Sequence, residues 1–407
     1  MSGPTLHRQL AAAGGTPIRR TPVPAWPVFG PDEIAATTEV LASGRANYWT
    51  GDQGRRFEAE FARWVEVEHA VAVSNGTVAL ELALRALGVQ PGDEVIVPTA
   101  TFIATASAVV AVGAVPVVVD VEPVSQCLTA ELVSRAVTSR TSAVVVVHMA
   151  GWPVDVAAIR AVADRHGVRV LEDCAQAHGA RIDGRPVGSL GHAAAWSFCQ
   201  DKILTTAGEG GAVTTNAPDV WRACWERKDH GKSWVSVTEP DPRPGFRWLH
   251  DSFGTNARLT EVQAAVGRRQ LTKVDDWVAR RRRHATALIA GLGDIPALRL
   301  PAPPLHVEHA WYRFWVHVRP ELLRPGWDRD RIVASVLAEG LPCAHGGCTE
   351  IHRERAFPAA WQPRSPTPVG AELGRTSFVL PVHPTLADDD VEDLVEAVRK
   401  ILEVAGT

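Results

Sequence analysis

Residues 143–173, AVVVVHMAGWPVDVAAIRAVADRHGVRVLED, decide the fold class. The segment opens with an apolar run from Ala143 to His148, continues through an alanine-rich stretch over residues 154–167, and closes with a second apolar run from Val168 to Asp173. Short runs rich in valine are typical of buried strands, and the alanine-rich stretch between them predicts a helix. The segment therefore predicts a strand–helix–strand unit with parallel strands.

The same alternation extends to both sides of this unit. Strands are predicted over residues 69–74, 94–98, 115–121, 143–148, 168–173, 194–198 and 211–215, and helices over 76–88, 101–112, 129–138 and 154–167. Continuous apolar strands separated by helices indicate an α/β fold, with a mostly parallel central sheet covered by helices on both faces. Ligands bind at the carboxyl ends of such strands, so the residues that follow each strand are candidate site residues.

The rest of the chain divides into an arm, a large domain and a small domain. Residues 1–30 are rich in Pro, Gly and Arg and predict an arm that packs on a surface, which a partner subunit could supply. Residues 31–270 form the large domain, which begins with helices over 31–43 and 54–65. A helical pattern over 259–292 leads into a smaller α+β domain over 271–407, with a strand over 310–318 and helices over 328–339 and 388–404.

Composition excludes several classes of function. The formal net charge of −4 over 407 residues gives no basic field, so neither nucleic acid nor an anionic membrane is an expected partner. No apolar run is long enough to cross a bilayer, and the N-terminus lacks the pattern of a signal peptide. Six scattered cysteines suggest free thiols in a reducing compartment. We therefore expect a cytoplasmic protein.

Lys202 stands within SFCQDKILTTAGEGGAVTTN, residues 197–216, between a predicted strand and a glycine-rich turn. A lysine at such a place can attack an aldehyde if partial burial makes its neutral amine accessible near pH 7. Most lysines lie on solvated faces. The interpretation as a Schiff-base lysine therefore depends on what stands at the other strand ends.

Those strand ends carry residues that suit one cofactor. Gly76 and Thr77 open a helix whose free N–H groups can bind a phosphate, and Phe102 offers a flat face for a ring. Asp173 ends an apolar strand, where a carboxylate needs a cationic or N–H partner. A phosphate site, an aromatic face, a carboxylate for a pyridine nitrogen and a lysine for an aldehyde together describe pyridoxal 5′-phosphate.

Several motifs together resemble a known family. The motifs are SNGT (74–77), TFIAT (101–105), EDCAQAHGA (172–180), SFCQDK (197–202) with GEGGAV (208–213), and GTNARLTE (254–261). In this order they resemble the DegT/DnrJ/StrS sugar aminotransferases, over the chain from about residue 15 to its end. The resemblance implies the pyridoxal-phosphate-dependent transferase fold of type I, as in aspartate aminotransferase.

The resemblance also implies roles for individual residues. Lys202 would form the Schiff base, Asp173 would pair with the pyridine nitrogen, and Gln176 would lie near the ring hydroxyl. The remaining cofactor contacts would come from a stacking Phe102, from Gly76, Thr77 and Ser197 at the phosphate, and from Asn256 of the neighbouring subunit. The active unit would then be a homodimer with shared active sites.

The implied reaction is transamination. Dehydratases of the family have histidine in place of the lysine, whereas Lys202 can move a proton as general acid and base. An amino group would pass from L-glutamate or L-glutamine, through pyridoxamine 5′-phosphate, to a keto or aldehyde sugar. Motif similarity is closest to the branch that aminates 8-oxo-3,8-dideoxy-octulosonate, an eight-carbon sugar.

Candidate substrate contacts lie outside the cofactor motifs. His230, Arg247 and His250 flank a proline-rich loop, Thr238 to Pro244, that we expect to lie over the cofactor. These cationic or titratable groups suit an anionic or nucleotide-linked acceptor, and solvated loop charges are the equally weighted alternative. The other candidates are Tyr48, Trp49, Thr50 and His178, and for the Tyr48 to Thr50 segment core packing is the equally weighted alternative.

Other functions remain as alternatives. A nicotinamide dehydrogenase requires a G-x-G-x-x-G turn after an early strand, which this sequence lacks. A regulator without catalysis is disfavoured by the intact Lys202 and Asp173. A keto-cyclitol or aminobenzoate-type reaction on the same scaffold stays open. Cys343, His345, Cys348 and His352 match no usual zinc spacing, so we predict no metal site.

Overall fold

The computed structural model describes residues 9–239 and 245–407. The helices of the first part are α1 (Pro31–Ser43), α2 (Gln53–Val65), α3 (Gly76–Ala86), α4 (Ala104–Ala111), α5 (Ala130–Ala136), α6 (Val156–Ala163), α7 (Pro218–Lys228), α8 (Trp234–Thr238) and α9 (Glu261–Leu271). Its strands are β1 (His69–Val73), β2 (Glu94–Pro98), β3 (Val115–Val119), β4 (Thr141–Val147), β5 (Arg169–Asp173), β6 (Arg181–Ile182), β7 (Arg185–Pro186), β8 (Ala193–Ser197) and β9 (Gly211–Thr215).

The C-terminal region, residues 274–407, combines helices with short strands. Its elements are α10 (Val274–Leu292), β10 (Leu298–Arg299), β11 (Val307–Glu308), β12 (Phe314–Val318), α11 (Arg329–Ala338), β13 (Ala344–His345), α12 (Pro368–Thr376), β14 (Ser377–Leu380) and α13 (Asp388–Ala405). Four of the strands form an antiparallel sheet in the order β10-β12-β14-β13, whereas β11 joins β6 and β7 in a separate three-stranded sheet.

A seven-stranded sheet in the order β1-β9-β8-β5-β4-β2-β3 forms the centre of the protein. Strands β8, β5, β4, β2 and β3 are parallel, and β9 runs antiparallel to both of its neighbours, β1 and β8. Strand β1 therefore points the same way as the parallel strands. The carboxyl ends of six strands meet at one edge, which is where an α/β sheet binds its ligands.

Alternation along the strands determines which helices cover each face. On β1, Val71 and Val73 pack in one apolar cluster with α3, α4 and α7, whereas Ala70 and Ala72 pack in another with α2. Strands β2 to β5 bury their other face against α5 and α6. Burial of apolar side chains on both sides is the main stabilising contribution. The predicted α/β fold, a mostly parallel sheet with helices on both faces, is confirmed.

The N-terminal arm packs on the C-terminal region of its own chain. Leu10 is buried in the apolar core beside α10, α11 and α13. The carboxylate of Glu339 accepts hydrogen bonds from the backbone N–H groups of Ala11 and Ile18, and Lys400 lies 2.8 Å from it. Arg19 pairs with Asp390 of α13 at 2.7 Å. Residues 10–19 of the arm therefore pack on their own chain, and residues 1–8 lie outside the described part.

Two predicted elements differ from those observed. The helical pattern over residues 259–292 is interrupted between α9 and α10, where Lys273 pairs with Asp32 and Glu33 of α1. The strand predicted over residues 310–318 begins only at Phe314, because Trp311 has a φ of 53°, which a strand excludes. Among the described residues, every helix is too short or too polar to traverse a bilayer.

Candidate active site

A cavity of about 830 Å³ lies at the carboxyl edge of the central sheet. Seven residues predicted from the sequence line it: Gly76, Thr77, Phe102, Asp173, Gln176, Ser197 and Lys202. A depression of similar volume, about 790 Å³, lies between α10 and α13, and no residue of the motifs lines it. Volume alone therefore does not locate the site, whereas the convergence of the motif residues does.

The amino end of α3 forms one wall of the cavity. Asn75 caps the helix by accepting a hydrogen bond from the N–H of Val78 at 2.9 Å. A Cβ on Gly76 would lie 2.7 Å from the Cβ of Ser197, so only glycine allows the helix to approach the end of β8 this closely. The first N–H groups of a helix have no intrahelical acceptor, and together with Ser197 they suit an anion such as a phosphate.

Asp173 ends β5 as a buried carboxylate. One oxygen accepts a hydrogen bond from the Thr105 hydroxyl at 3.0 Å, and the other accepts one from the N–H of Ala175 at 3.2 Å. Burial raises the pKa of the Asp173 carboxyl above its ordinary value, although these two donors and the positive charge of Lys202 oppose the shift. A cationic group beside Asp173 would stabilise its charged form.

Two side chains at the same edge present a flat face and an amide. The ring of Phe102 is 68% exposed although it lines the cavity, so one face is open to a ligand. The side-chain oxygen of Gln176 accepts a hydrogen bond from the N–H of Ala150 at 2.7 Å, which fixes the orientation of the amide.

Lys202 follows β8 and faces the same cavity. Its backbone carbonyl accepts a hydrogen bond from the indole of Trp26 at 3.0 Å. Its Nζ lies 3.3 Å from Asp201 Oδ1 and 3.4 Å from the hydroxyl of Tyr312. Burial by itself lowers the pKa of this amine, but Tyr312 and Asp201 together outweigh burial and leave the pKa above its ordinary value. Both neighbours therefore favour the protonated amine in the free lysine, whereas the sequence predicts that partial burial makes the neutral form accessible near pH 7.

The sequence analysis missed several residues of the cavity wall. Tyr312 and Arg313 reach it from the C-terminal region, together with Trp315. Neither periodicity nor spacing indicates a contact between segments 110 positions apart. Asp201 and Thr105 were within reach of sequence reasoning, since both stand in the quoted motifs.

The segment from Tyr48 to Thr50 lies away from this cavity. Tyr48 is buried and donates a hydrogen bond to Glu58 at 2.9 Å. The indole of Trp49 donates to Asp229, and Thr50 is exposed in a turn closed by Asn47. For the two aromatic side chains the placement favours core packing over contact with a substrate in this cavity.

His178 also lies outside the cavity. Its ring is fully buried, with its centroid 5.2 Å from that of Trp196 and 5.8 Å from that of Phe198. Burial, with the nearby charges of Lys202 and Arg281, lowers the pKa of His178 to about 3. This packing differs from the prediction of a substrate contact, because His178 faces the aromatic core whereas Gln176 faces the cavity.

The loop candidates stand apart from the cavity of their own chain. His250 bridges to Lys232 through the backbone, and Asn256 bridges to Asp229 in the same way. Arg247 donates to the carbonyl of Ser236. His230 and Asn256 are exposed. Of the loop from Thr238 to Pro244, residues 240–244 lie outside the described part, so its expected place over the cofactor stays a prediction.

Potential metal ligands come together once among the described residues, at His148, Glu172 and Cys174. His148 Nε2 lies 3.0 Å from Glu172, and its Nδ1 accepts a hydrogen bond from the N–H of Val154. Three backbone N–H groups donate to the Glu172 carboxylate as well. Hydrogen bonds therefore account for the His148 and Glu172 side chains. The two histidines weighed above for a zinc site are also paired, His345 with Asp330 and His352 with Thr99.

Comparison with known proteins identifies the family. The family model described as DegT/DnrJ/EryC1/StrS aminotransferase family matches residues 28–399. The chain belongs to this family. As a DegT/DnrJ/EryC1/StrS member it is a pyridoxal-phosphate-dependent aminotransferase, and the dehydrogenase and regulator alternatives are set aside.

Three similar proteins illustrate the range of the family. The chain is 37% identical to dTDP-3-amino-3,4,6-trideoxy-alpha-D-glucose transaminase of Streptomyces venezuelae, covering 91% of this chain and 92% of that one. It is 35% identical to L-glutamine:2-deoxy-scyllo-inosose aminotransferase of Streptomyces kanamyceticus, covering 99% and 90%. The crystal structure of an aminotransferase from Psychrobacter cryohalolentis superposes with a TM-score of 0.92 at 46% identity, covering 94% and 99%.

The residues of the cavity fit the family's cofactor. An anion site at the start of α3, a buried carboxylate on β5 and an amine after β8 face one space. The carboxylate of Asp173 has a raised pKa because it is buried among neutral donors, and a protonated pyridine nitrogen is the cationic partner that such a group requires. The chemistry of the donor set therefore matches each end of pyridoxal 5′-phosphate.

Proposed function

We propose that this family member transfers an amino group from L-glutamate or L-glutamine to a keto or aldehyde sugar that is anionic or nucleotide-linked. The observation that carries the proposal is the convergence of Lys202, Asp173 and the amino end of α3 on one cavity of about 830 Å³. The family match and the named sugar transaminase among its relatives support the same reaction.

Each residue has a role in the proposal. When bound, the cofactor supplies an aldehyde for an amine and an electron-withdrawing ring. Lys202 Nζ would bond to that aldehyde and, once released from it as a neutral amine, would take a proton from the substrate α-carbon and return it. Asp173 keeps the ring nitrogen protonated, and Phe102 covers one face of the ring.

The polar ends of the cofactor have partners too. Gly76, Thr77 and Ser197 bind the phosphate at the amino end of α3. Gln176, whose amide orientation is fixed by the hydrogen bond from Ala150, would hold the ring hydroxyl.

Side chains on the cavity wall that the C-terminal region forms support an anionic substrate. Arg313 lines the cavity with its side chain 42% exposed and makes a contact of 3.4 Å with Asp201. His345 lines the same wall. An arginine with unused donors can bind a carboxylate or a phosphate in bidentate fashion. We propose that Arg313 binds a carboxylate or phosphate group of the amino-acid donor or of the sugar acceptor.

Narrower assignments are part of the proposal. The motif similarity favours an eight-carbon 8-oxo-3,8-dideoxy-octulosonate as acceptor. A keto-cyclitol is the second candidate, since a relative that covers 99% of the chain is named for 2-deoxy-scyllo-inosose. An aminobenzoate-type product is the third.

The proposed assembly and location follow the sequence analysis. We propose a homodimer in which Asn256 reaches the phosphate site of the partner subunit, because Asn256 is exposed and lies outside the cavity of its own chain. We also propose a cytoplasmic location, which six free cysteines support.

One experiment tests both the reaction and the acceptor. The protein is first incubated with L-glutamate or, separately, L-glutamine, and conversion to the pyridoxamine form is followed as loss of visible absorption. Candidate acceptors are then added one at a time: a nucleotide-linked keto-sugar, the eight-carbon aldehyde sugar and a keto-cyclitol. The proposal expects a sugar to restore the absorption. Restoration by the cyclitol alone, or by none, contradicts the sugar assignment.

A further inference from the structure

Asp201 and Tyr312 converge on the nitrogen of Lys202. Asp201 Oδ1 lies 3.3 Å from Lys202 Nζ, and the other carboxylate oxygen accepts a hydrogen bond from the hydroxyl of Tyr312. Lys202 Nζ donates to the same hydroxyl at 3.4 Å and lies 4.9 Å from the centre of the Tyr312 ring. The three groups therefore form a closed triangle at the cavity wall.

A buried arginine fixes Tyr312 in this triangle. Arg281 of α10 is 1% exposed, and its Nη1 donates to the backbone carbonyls of Trp311 at 3.3 Å and of Tyr312 at 3.1 Å. Trp311 has a φ of 53°, an unusual value for a residue other than glycine. Arg281 of α10 therefore holds the backbone turn that places Tyr312 beside Lys202.

Other charged groups around Lys202 do not take the place of Asp201. Asp173 of β5 is already bonded to Thr105 and Ala175. Arg313 and Arg281 are positive and oppose a positive charge on Lys202. His178 has a pKa of about 3 and is neutral near pH 7. Glu209 also lines the cavity, and its carboxylate lies 3.9 Å from the sulfur of Cys199.

We propose that Asp201 and Tyr312 are positioning residues for Lys202, a carboxylate–hydroxyl pair that holds the amine at the cavity wall and balances the positive charge that the amine carries in the cofactor-free protein. The inference rests on the proposed function, because it concerns the same lysine. In the free state the amine of Lys202 carries one added proton. Asp201 supplies the negative charge and the Tyr312 hydroxyl donates a hydrogen bond to it, so the pair supplies charge and orientation and transfers no proton.

The titration behaviour agrees with this geometry. Burial favours the neutral form of Lys202, yet Tyr312 and Asp201 leave the pKa of the amine raised. Burial likewise raises the pKa of Asp201, but Lys202 and Tyr312 outweigh it and the pKa is lowered. Both shifts indicate that the charged pair is the stable state of the free lysine.

Labelling of Lys202 tests the proposal without any use of activity. The full-length protein, freed of cofactor, is treated with a limiting amount of acetic anhydride at pH 8, and acetylation of each lysine is measured by mass spectrometry. Only the neutral amine reacts. Lys273, which pairs with Asp32 and Glu33 away from the cavity, is the internal reference.

Asp201→Asn removes the charge and keeps the shape. Loss of a close opposite charge lowers a lysine pKa by about 1 unit or more, so acetylation of Lys202 relative to Lys273 should rise about tenfold. Asp201→Glu should return it to within about twofold of the wild type. Glu209→Gln is the matched control, because it removes another carboxylate from the same cavity. Among the described residues, that carboxylate makes no hydrogen bond or ion pair with Lys202.

The outcomes are distinct. Equal acetylation of Lys202 in Asp201→Asn and Glu209→Gln would overturn the inference. A rise in Asp201→Asn that Asp201→Glu does not reverse would also overturn it, since the charge would then not be the cause. Failure of the wild-type protein to develop visible absorption with pyridoxal 5′-phosphate would overturn the proposed function instead, and the labelling result would stand apart from it.

Discussion

Thr105 donates a hydrogen bond to Asp173 across 3.0 Å, so a residue of α4 fixes the carboxylate at the end of β5. The hydroxyl of Thr105 is itself 2.8 Å from that of Thr101, and both threonines are buried. The carboxylate is therefore held in one orientation before any ligand arrives. Preorganisation of this kind avoids rearrangement when a cationic ring nitrogen binds.

The first prediction is that Asp173→Asn stabilises the cofactor-free protein at neutral pH. Burial raises the pKa of Asp173 above its ordinary 3.8, so the folded protein binds the proton more tightly than the unfolded chain. The free energy of unfolding then falls as pH rises above about 4. An asparagine does not titrate, so the variant does not lose this stability. Thermal unfolding should show a higher midpoint for the variant at pH 7 and a difference that shrinks toward pH 4.

The same variant should lose transamination. Removal of a buried charge partner costs roughly 3–5 kcal/mol. We therefore expect turnover to fall by at least a hundredfold in steady-state assays, while stability does not decrease. A variant that is less stable than the wild type at pH 7, or that keeps full turnover, contradicts the role given to Asp173.

The second prediction concerns the contact between the arm and the lysine. Trp26→Phe removes the donor to the carbonyl of Lys202 but keeps an aromatic ring. A lost hydrogen bond of this kind costs about 0.5–1.5 kcal/mol, and we expect weaker binding of pyridoxal 5′-phosphate in a spectrophotometric titration. Trp277→Phe is the control, since Trp277 packs edge-on at 5.1 Å from Trp26. Equal affinities in the two variants would show that packing alone matters.

The third prediction is an acid-sensitive contribution from His178. Its pKa of about 3 lies far below the ordinary 6.5, so protons bind to the unfolded chain first as pH falls. Stability is fully present above pH 6.5 and is lost toward pH 3. Between pH 7 and pH 5 one such group accounts for about 2 kcal/mol. In urea unfolding between pH 7 and pH 5, the free energy of unfolding of His178→Phe should fall by about 2 kcal/mol less than that of the wild type.

A surface histidine provides the comparison for this measurement. His166 is exposed, and His166→Gln should leave the acid loss of the wild type unchanged. If His178→Phe also loses as much stability as the wild type between pH 7 and pH 5, the buried neutral state assigned to His178 is incorrect.

The fourth prediction tests the shared active site. Lys202→Ala and Asn256→Ala subunits should each be inactive or weak as homodimers. In a mixed dimer, the subunit that keeps Lys202 would receive Asn256 from its partner and form one complete site. Subunit exchange should therefore restore activity, up to about one working site in two. Activity no greater than the sum of the parents would mean that Asn256 acts within its own chain or not at all.

Most of the central sheet could be predicted because its signal is local. The strand predicted over residues 94–98 coincides with β2, since five buried residues stand between polar boundaries. The helix break before α10 could not be predicted, because apolar residues continue at helical spacing from Leu271 to Val274. At the break Lys273 pairs with Glu33 of α1, a tertiary contact that the local sequence does not indicate.

The site residues also divide into those that a local signal predicts and those that depend on tertiary contacts. Gly76, Asp173 and Ser197 could be predicted because a strand end determines on which edge a residue lies. Tyr312 could not, because its place beside Lys202 depends on the turn that Arg281 holds. His178 is a candidate in the sequence because it lies within reach of the acidic pair at the end of β5, although consecutive turns of the chain direct Gln176 and His178 to different sides.

Reductive trapping tests the central claim most directly. The protein is loaded with pyridoxal 5′-phosphate, reduced with borohydride and digested, and the phosphopyridoxyl mass is located by mass spectrometry. We expect the label on Lys202, with no stoichiometric label on Lys228, Lys232, Lys273 or Lys400. A stable adduct on another lysine, or none at all in protein that binds the cofactor, would contradict the assignment of Lys202.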